Sequence, residues 1–251
     1  MKKLGLIGKT LHYSFSKKYF SDKFEKEDIH DYKYDLYELE DIDKFNTLLQ
    51  NESTLAGLNV TIPYKQEVLK YIHELDAEAA AIGAINTIKF TKDGKLKGYN
   101  TDVIGFEKSL VPFLGAAKDQ DLQALILGTG GASKAILFAL QKLNIKSTYV
   151  SRSAKKGITY DQLDEQMMSD HKLIINCTPL GTYPDVDQAP PLPYAFLTKE
   201  HFLYDLVYNP EKTLFLKQGE AHGAKTINGI PMLVFQAEAS WEIWNNIPKS
   251  I

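Results

Sequence analysis

The 251-residue chain is predicted to be an α/β protein of two domains. Short apolar segments alternate with amphipathic ones along most of its length, as expected for strands and helices that build mostly parallel sheets. In the second half, the glycine-rich stretch Gly128–Ser133 separates an apolar strand from a helix. This strand–turn–helix order is typical of a Rossmann-like dinucleotide-binding domain.

The first half of the chain is expected to contain five strands and three helices. Apolar runs and period-two alternation predict strands at Leu4–Ile7, Tyr32–Tyr37, Leu55–Val60, Ala84–Phe90 and Leu96–Tyr99. Apolar residues at helical spacing predict helices at Lys17–Lys26, Ile42–Gln50 and Tyr64–Ile82. The turn residues Thr91–Gly94 make the last two strands a hairpin. Because the apolar run after Met1 is too short for a signal peptide, we interpret it as the first strand.

The second half repeats buried strands and helices. Strands are predicted at Gln123–Leu127, Ser147–Val150, Leu173–Asn176, Phe202–Leu206 and Thr226–Ile227, and helices at Val103–Leu114, Lys134–Leu143, Leu214–His222 and Pro231–Asn246. We expect the last helix to return to the first domain. This places a substrate-binding catalytic domain at residues 1–102, completed by 229–251, and the dinucleotide-binding domain at residues 103–228.

Composition excludes several classes of protein. The formal net charge is −3, so no basic surplus indicates a nucleic-acid partner, and no apolar stretch is long enough to span a membrane. The single cysteine, Cys177, cannot form an internal disulfide, which fits the cytoplasm; we interpret it as a buried apolar residue. The six histidines show no metal-ligand spacing, so no metal is predicted. No interface stripe indicates the oligomeric state.

The glycine-rich turn is the clearest cofactor signal. Glycines at 128, 130 and 131 permit a tight turn and let the backbone approach a pyrophosphate, while the following helix directs its free N–H groups at that anion. The pattern is G-x-G-G-x-S and departs from a strict G-x-G-x-x-G. A glycine-rich turn that binds nothing is the alternative, and the flanking strand and helix favour dinucleotide binding.

The residues after the next strand indicate which dinucleotide is bound. NAD-binding domains usually carry an acidic residue there for the ribose 2′-hydroxyl. Here the strand is followed by Ser151, Arg152, Ser153 and two lysines, Lys155 and Lys156. A guanidinium can bind a 2′-phosphate through two hydrogen bonds. We therefore expect NADP, although a solvated charge cluster is the simpler alternative.

A candidate catalytic group follows the third strand. The strand ends with Asn59 and Thr61, Pro63 terminates it, and Lys65 stands near the start of the predicted helix. The positive end of a helix dipole would ease the loss of the lysine proton. That property suits a group that exchanges protons near neutral pH. An exposed surface lysine is the commoner alternative.

Asn59–Lys65, with the sequence N-V-T-I-P-Y-K, resembles the shikimate dehydrogenase family. Further stretches agree with that family in order along the whole chain: Ser14–Ser16, Gly83–Thr87, Asn100–Asp102, Asn176–Gly181 and Asn228–Gln236. The resemblance implies reversible reduction of 3-dehydroshikimate to shikimate with NADPH, a step of aromatic amino-acid biosynthesis.

The resemblance also implies roles for individual residues. Lys65 and Asp102 would be the catalytic pair. The substrate would be bound by Ser14, Ser16 and Tyr208 around its carboxylate and by Asn59, Thr61, Asn86 and Gln236 around its hydroxyls. The cofactor would be held by Gly128, Thr129, Gly130, Gly131, Ala132, Ser151, Arg152, Ser153 and Lys156, with Leu206 and Gly229 beside the nicotinamide.

Alternatives remain at both levels. The chain as a whole could be an NAD-linked quinate/shikimate dehydrogenase or a non-catalytic binding protein on the same scaffold. An acidic residue in place of Arg152 would indicate the NAD-linked enzyme. Loss of Lys65 or Asp102 would indicate the non-catalytic binding protein. Among single residues, Asp102 could be the N-cap of a helix starting at Val103, and Ser14 and Ser16 could cap the first helix.

Overall fold

The structure, a computed structural model, describes residues 1–11 and 14–246. The chain divides into two compact units, Met1–Gly105 with Leu233–Ile251 and Phe106–Met232. The sequence placed these divisions at 102/103 and 228/229, and residues 247–251 of the predicted first domain lie outside the described part. The predicted α/β class is confirmed, because each unit contains a sheet with helices.

The first unit contains a six-stranded mixed sheet in the order β2-β1-β3-β5-β6-β4. Its strands are β1 (Lys2–Gly8), β2 (Tyr32–Glu38), β3 (Leu55–Val60), β4 (Glu74–Leu75), β5 (Thr87–Phe90) and β6 (Leu96–Tyr99). Strand β1 pairs in parallel with β2 and β3, and β5 pairs antiparallel with β3 and β6. The predicted hairpin is thus confirmed.

The second unit contains a five-stranded parallel sheet in the order β11-β10-β9-β7-β8. The strands are β7 (Gln123–Leu127), β8 (Lys146–Val150), β9 (Leu173–Asn176), β10 (Phe202–Asp205) and β11 (Lys225–Ile227). All residues of β9 and β10 are buried, as expected for strands covered on both faces. The predicted Rossmann-like arrangement is confirmed.

Eight α-helices connect or cover these strands in the described part of the chain. They are α1 (Phe15–Lys26), α2 (Phe45–Asn51), α3 (Ala77–Ile82), α4 (Thr101–Leu114), α5 (Gly131–Lys142), α6 (Glu165–Asp170), α7 (Leu214–Ala221) and α8 (Ile230–Asn245). Helix α6 was not predicted from the sequence. Within the described residues, no helix has the length and apolar character needed to cross a membrane.

The predicted helix at Tyr64–Ile82 is wrong. The chain forms a turn, a short 3₁₀ helix at Glu67–Tyr71 and strand β4 before α3 begins. The backbone N–H groups of His73 and Asp76 donate to carbonyls of β6, at 3.0 and 2.9 Å. Pairing with β6 therefore takes the hydrogen-bonding groups that a continuous helix would need, and tertiary structure overrides the helical spacing of apolar residues.

The last helix packs within the first unit, as the sequence predicted. Ala237 and Trp244 of α8 join a buried cluster with Leu4, Phe20 and Tyr34. The Trp244 indole N–H donates to the Ile88 carbonyl at 3.0 Å, so the aromatic group is held by a hydrogen bond as well as by packing. This anchoring fixes the helix that carries Gln236.

Replacing Gly57 with alanine is expected to destabilise the first unit. A Cβ atom at this position of β3 would lie 2.3 Å from the Trp244 ring, which is itself buried and cannot move aside. Overpacking of this kind costs about 1–3 kcal/mol. Urea unfolding followed by tryptophan fluorescence measures the loss, and an unchanged free energy of unfolding would contradict the close packing of α8 on β3.

Candidate active site

Lys65 and Asp102 form a largely buried ion pair. The lysine Nζ lies 2.6 Å from Asp102 Oδ2, and the side chains are 16% and 9% exposed. A charge pair with so little contact with water interacts more strongly than a surface pair and requires good geometry to be stable. The two residues that the family resemblance named as catalytic are therefore in direct contact.

The local structure around Lys65 differs from the prediction. Lys65 lies in the turn before the 3₁₀ helix at Glu67–Tyr71, so it does not face the start of an α-helix as expected. Its backbone carbonyl accepts a hydrogen bond from the Ile85 N–H at 2.8 Å. That bond joins the Asn59–Lys65 segment to the Gly83–Thr87 segment. The lysine is placed by this contact and by its carboxylate partner.

Asp102 lies in the first turn of α4 and does not cap it. Helix α4 begins at Thr101, so the alternative that Asp102 is the N-cap of a helix starting at Val103 is wrong. The Asn100 side chain instead accepts a hydrogen bond from the Asp102 backbone N–H at 3.2 Å. The second carboxylate oxygen, Oδ1, accepts from Asn86 Nδ2 at 2.8 Å. Both oxygens of Asp102 thus have a fixed donor.

Asn86 is oriented by groups on both sides of its amide. Its oxygen accepts from the Thr101 backbone N–H at 2.7 Å and from the Thr101 hydroxyl at 3.1 Å. Its nitrogen is then directed at Asp102, and it also lies 3.4 Å from Gln236 Oε1. Asn86 is only 3% exposed. The amide therefore has a single orientation that presents N–H groups to the carboxylate.

Asn59 lies deeper in the same polar cluster. Its oxygen accepts from the Tyr34 hydroxyl at 2.8 Å, and its nitrogen donates to Ser240 Oγ at 3.0 Å. The same nitrogen lies 3.2 Å from both the Asn86 carbonyl and Thr87 Oγ1. The residue is 4% exposed. Its hydrogen-bonding groups are directed at protein partners.

Of the other predicted substrate residues of the first unit, Ser14, Ser16 and Thr61 lie at or near the ends of elements, and Gln236 lies inside α8. Ser14 is the N-cap of α1, where its hydroxyl accepts from the Lys17 N–H at 3.3 Å. The Ser16 hydroxyl forms a hydrogen bond with the Tyr34 phenol. Burial raises the pKa of that phenol, and the bond with Ser16 opposes part of the rise. Thr61 follows β3, and its backbone N–H donates to the Ile7 carbonyl at 2.9 Å. Gln236 is 7% exposed on α8.

In the second unit, the glycine-rich turn follows β7 directly. Gly128 has a φ of +98°, a backbone conformation that favours glycine, and a Cβ there would lie 3.0 Å from the Thr178 methyl. Gly130 is the N-cap of the twelve-residue helix α5 and supplies no side-chain cap, while Gly131 and Ala132 form its first turn. The first N–H groups of α5 are therefore available to an anion.

A cavity of about 560 Å³ opens beside this turn. Its lining residues are Gly128, Thr129, Gly130, Ser151, Arg152, Tyr160, Cys177, Thr178, Pro179, Leu180 and Pro191. The Arg152 side chain is exposed at the end of β8, and Ser153 and Lys156 follow it in an exposed segment. Burial raises the pKa of the Cys177 thiol, which agrees with the prediction that this cysteine is not a nucleophile.

Leu206 and Tyr208 follow the end of β10, and Gly229, which follows the end of β11, lies against the Leu206 backbone. The Leu206 N–H donates to the Asn176 carbonyl at 3.0 Å, and the Gly229 N–H donates to the Val207 carbonyl at 3.2 Å. A Cβ on Gly229 would lie 2.3 Å from the Leu206 carbonyl oxygen. Tyr208 is half-buried in the same loop. Glycine is thus required at 229 by the close approach of two backbone segments.

A buried carboxylate, Asp205, links the carboxyl ends of β9 and β10 in the parallel sheet. It is fully buried and accepts from Thr213 Oγ1 at 2.5 Å, from Asn176 Nδ2 at 2.9 Å and from the Val207 N–H at 3.0 Å. Burial raises its pKa to about 6, and the three hydrogen bonds oppose that rise. One side chain therefore links the ends of two strands to the start of α7.

We expect the stability contributed by Asp205 to fall as pH rises. A carboxyl whose folded pKa lies above its unfolded value is more favourable in the folded state when protonated, so stability is lost from about pH 4 to pH 6. The difference amounts to about 3 kcal/mol. The free energy of unfolding of the wild type minus that of Asp205→Asn should therefore be about 2 kcal/mol more positive at pH 4.5 than at pH 7.5, because only the wild type titrates at this position. An equal difference at both pH values would contradict this expectation.

The sequence did not predict several residues of these two sites. Tyr34, Thr87, Thr101 and Ser240 belong to the buried cluster around Asn59 and Asn86, and Tyr160 lines the cavity. One signal was available for Ser240, because it stands four residues after Gln236 and so shares a face of α8 with it. A signal was also available for Thr87 and Thr101, because they stand in the family stretches Gly83–Thr87 and Asn100–Asp102, whereas Tyr34 and Tyr160 have no local pattern.

Comparison with known proteins identifies the family. Residues 6–88 match the model of the shikimate dehydrogenase substrate binding domain. Shikimate dehydrogenase (NADP(+)) of Methanococcus maripaludis is 37% identical over 100% of this chain and 94% of its own length.

Solved structures agree with that match. A chorismate mutase/shikimate 5-dehydrogenase fusion protein from Clostridium acetobutylicum superposes with a TM-score of 0.87 at 38% identity, covering 99% of this chain and 93% of its own. Shikimate 5-dehydrogenase from Thermus thermophilus, solved with NADP(H) and shikimate, gives a TM-score of 0.84 at 27% identity over 98% and 94% of the two chains. The chain therefore belongs to the shikimate dehydrogenase family.

Proposed function

We propose that the protein catalyses the reversible NADPH-dependent reduction of 3-dehydroshikimate to shikimate. The observation that carries this proposal is the buried ion pair of Lys65 and Asp102, set among neutral hydrogen-bonding side chains in a chain of this family. The first unit holds the substrate and the second holds NADP. A cytoplasmic enzyme acting on a small molecule, in aromatic amino-acid biosynthesis and without a nucleic-acid partner, fits the composition of the chain.

Lys65 acts as the general acid in the direction of reduction. As the ketone of the substrate is reduced, negative charge develops on its oxygen. The Lys65 ammonium stabilises that charge by a hydrogen bond and transfers a proton to the oxygen. Asp102 holds the ammonium at 2.6 Å and so fixes its position. In the direction of oxidation the same lysine receives the proton from the hydroxyl.

Neutral side chains bind the rest of the substrate. Ser14 and Ser16 bind the carboxylate, because hydroxyl groups donate hydrogen bonds to it without adding charge, and the family resemblance gives Tyr208 the same role. Thr61, Asn86 and Gln236 form hydrogen bonds with the ring hydroxyls. Asn59 supports this arrangement indirectly, because its side-chain amide donates to the Asn86 backbone carbonyl. A substrate lacking a hydroxyl would leave these desolvated groups unpaired, and this gives selectivity.

The residues of the second unit fit an NADP molecule. The φ of +98° at Gly128 and the uncapped start of α5 form a cradle for a pyrophosphate, which Gly128, Thr129, Gly130, Gly131 and Ala132 would hold. The 2′-phosphate would be held by Ser151, Arg152, Ser153 and Lys156. Leu206 and Gly229 would lie beside the nicotinamide. When bound, this coenzyme supplies the hydride.

The charge pattern after β8 supports NADP over NAD. An NAD-linked quinate/shikimate dehydrogenase would be expected to place an acidic residue there for the ribose 2′-hydroxyl. The exposed segment of this chain instead begins with Ser151 and Arg152. A non-catalytic binding protein would not need a buried lysine–carboxylate pair.

One assay separates these possibilities. Purified protein is incubated with shikimate or quinate, each with NADP or NAD, and the absorbance of the reduced coenzyme is followed. The proposal expects the fastest turnover with shikimate and NADP. Equal or faster turnover with NAD and quinate would favour the degradative enzyme, and absence of turnover in all four mixtures would favour the binding protein.

A further inference from the structure

Ser240 is the meeting point of the buried polar cluster of the first unit. It lies on α8 and is fully buried. Its hydroxyl oxygen lies near four other groups: Thr87 Oγ1 at 2.8 Å, the Gln236 carbonyl at 2.9 Å, Asn59 Nδ2 at 3.0 Å and Thr101 Oγ1 at 3.2 Å. These partners come from β3, β5, and the start of α4, as well as from α8 itself.

The donors and acceptors of this cluster can be assigned by counting hydrogens. A hydroxyl group has one hydrogen and two acceptor sites. Ser240 donates to the Gln236 carbonyl, so its two acceptor sites receive Asn59 Nδ2 and one threonine hydroxyl. We assign that hydroxyl to Thr87, which lies 2.8 Å from Ser240 Oγ, since Thr101 lies 3.2 Å away. The Thr101 hydroxyl is then free to donate to Asn86 Oδ1. The Ser240 hydroxyl thereby sets the direction of the donor hydrogens of Asn59, Thr87 and Thr101.

Removal of the Ser240 hydroxyl would change the hydrogen bonds of the Asn59 and Asn86 side-chain amides. Asn59 would lose its shortest acceptor, and the Thr87 hydroxyl would turn to Asn86 Oδ1, which lies 3.1 Å away. Asn86 Oδ1 would then receive a third donor beside the two from Thr101. Because Asn86 Nδ2 holds Asp102, the disturbance reaches the ion pair with Lys65 through two hydrogen bonds.

We propose that Ser240 is a positioning residue of the substrate site, which fixes the Asn59 and Asn86 amides and through them the direction in which Asp102 holds Lys65. This inference rests on the proposed function for its catalytic consequence. It assigns to the C-terminal helix a second role besides carrying Gln236. Ser240 does not touch the reacting atoms in this scheme.

The test is Ser240→Ala, with Ser109→Ala as the matched control. Ser109 is also a buried helical serine, with its hydroxyl bonded to a carbonyl one turn earlier and to Tyr204, and it lies in the second unit. Ser240→Ala should lower kcat about tenfold and leave the KM for NADP within about twofold. Ser109→Ala should lower thermal stability similarly with kcat unchanged. Equal kcat values in the two variants would overturn the proposal.

A double-mutant cycle tests the connection to the amides. Thr87→Val removes the closest partner of Ser240 while keeping its shape. If both residues act through one network, the loss in the double variant should stay close to the larger single loss. Losses that multiply would overturn the proposal. If Ser240→Ala does not fold, Thr87→Val alone decides, since wild-type kcat in that variant would exclude a positioning network.

An independent measurement does not require turnover. The side-chain NH₂ resonances of Asn59 and Asn86 in ¹⁵N-labelled protein report their hydrogen bonds directly. Both pairs should shift in Ser240→Ala and remain in place in Ser109→Ala. Unchanged Asn86 resonances would overturn the inference even if shikimate is turned over. Conversely, shifted resonances in a protein that does not oxidise shikimate would contradict the proposed function and leave the network intact.

Discussion

Replacing Lys65 with alanine is expected to lower kcat about 10³-fold with only a modest change in the KM for shikimate. The variant loses both the hydrogen bond to the developing oxyanion and the proton donor, and general acid catalysis alone contributes about 10²–10⁴-fold. Substrate binding depends mainly on the neutral side chains around the site, so the ground state is affected less. Steady-state kinetics of shikimate oxidation with NADP measures both quantities.

A nearby lysine provides the control for this experiment. Lys70 lies five residues later and forms an exposed ion pair with Asp43, with side chains 55% and 71% exposed. Such pairs contribute about 0–1 kcal/mol to stability, so Lys70→Ala should keep wild-type kcat. Comparable turnover by Lys65→Ala and Lys70→Ala would contradict the proposed mechanism. Circular dichroism must show that Lys65→Ala is folded, because the variant leaves the Asp102 carboxylate without its cation.

Asp102→Asn separates the two members of the pair. The amide keeps the shape of the carboxylate and removes its charge, so Lys65 is still present but no longer held as an ion pair. If Lys65 carries the proton, this variant should retain part of kcat, because the proton donor is still present. A loss as complete as that of Lys65→Ala would instead assign the proton transfer to the carboxylate.

Much of the fold could be predicted because its signals are local. The hairpin of β5 and β6 follows from a turn flanked by alternating residues, and the parallel sheet of the second unit follows from its buried strands. The segment Tyr64–Ile82 was mispredicted for the opposite reason. Its apolar spacing matches a helix, but β6 supplies hydrogen-bond partners that become available only after the sheet has formed.

The site shows the same division between local and distant information. Lys65 and Asp102 were found through motifs that stand in the sequence, whereas the contact between them exists only in the folded chain, where Ile85 also bonds the Lys65 carbonyl. Ser240 and Tyr34 are ordinary residues of a helix and a strand until the fold brings them to Asn59. Buried polar networks of this kind are therefore the part of a site that sequence patterns miss.

Replacing Arg152 with alanine is expected to raise the KM for NADP about 30-fold and to leave the KM for NAD within about twofold. A hydrogen-bonded contact between charged groups contributes about 1.5–3 kcal/mol, and only NADP carries the 2′-phosphate that would receive it. The ratio of kcat/KM values for the two coenzymes should therefore fall by the same factor. Initial rates at saturating shikimate with each coenzyme measure the change.

The strand that carries Arg152 also supplies the control. Lys146 stands at the opposite end of β8, is 72% exposed and lies 3.7 Å from Asp121, so Lys146→Ala removes one positive charge from the same unit away from the cavity. If Arg152 acts only through the net charge of the unit, both variants should weaken NADP alike, and high salt should abolish the difference from wild type. A direct contact predicts a large effect from Arg152→Ala alone. If the ratio of kcat/KM for NADP and NAD changes in neither variant, Lys156→Ala is the next test. A fall in that ratio would show that Lys156 holds the 2′-phosphate, and an unchanged ratio would contradict the proposed preference for NADP.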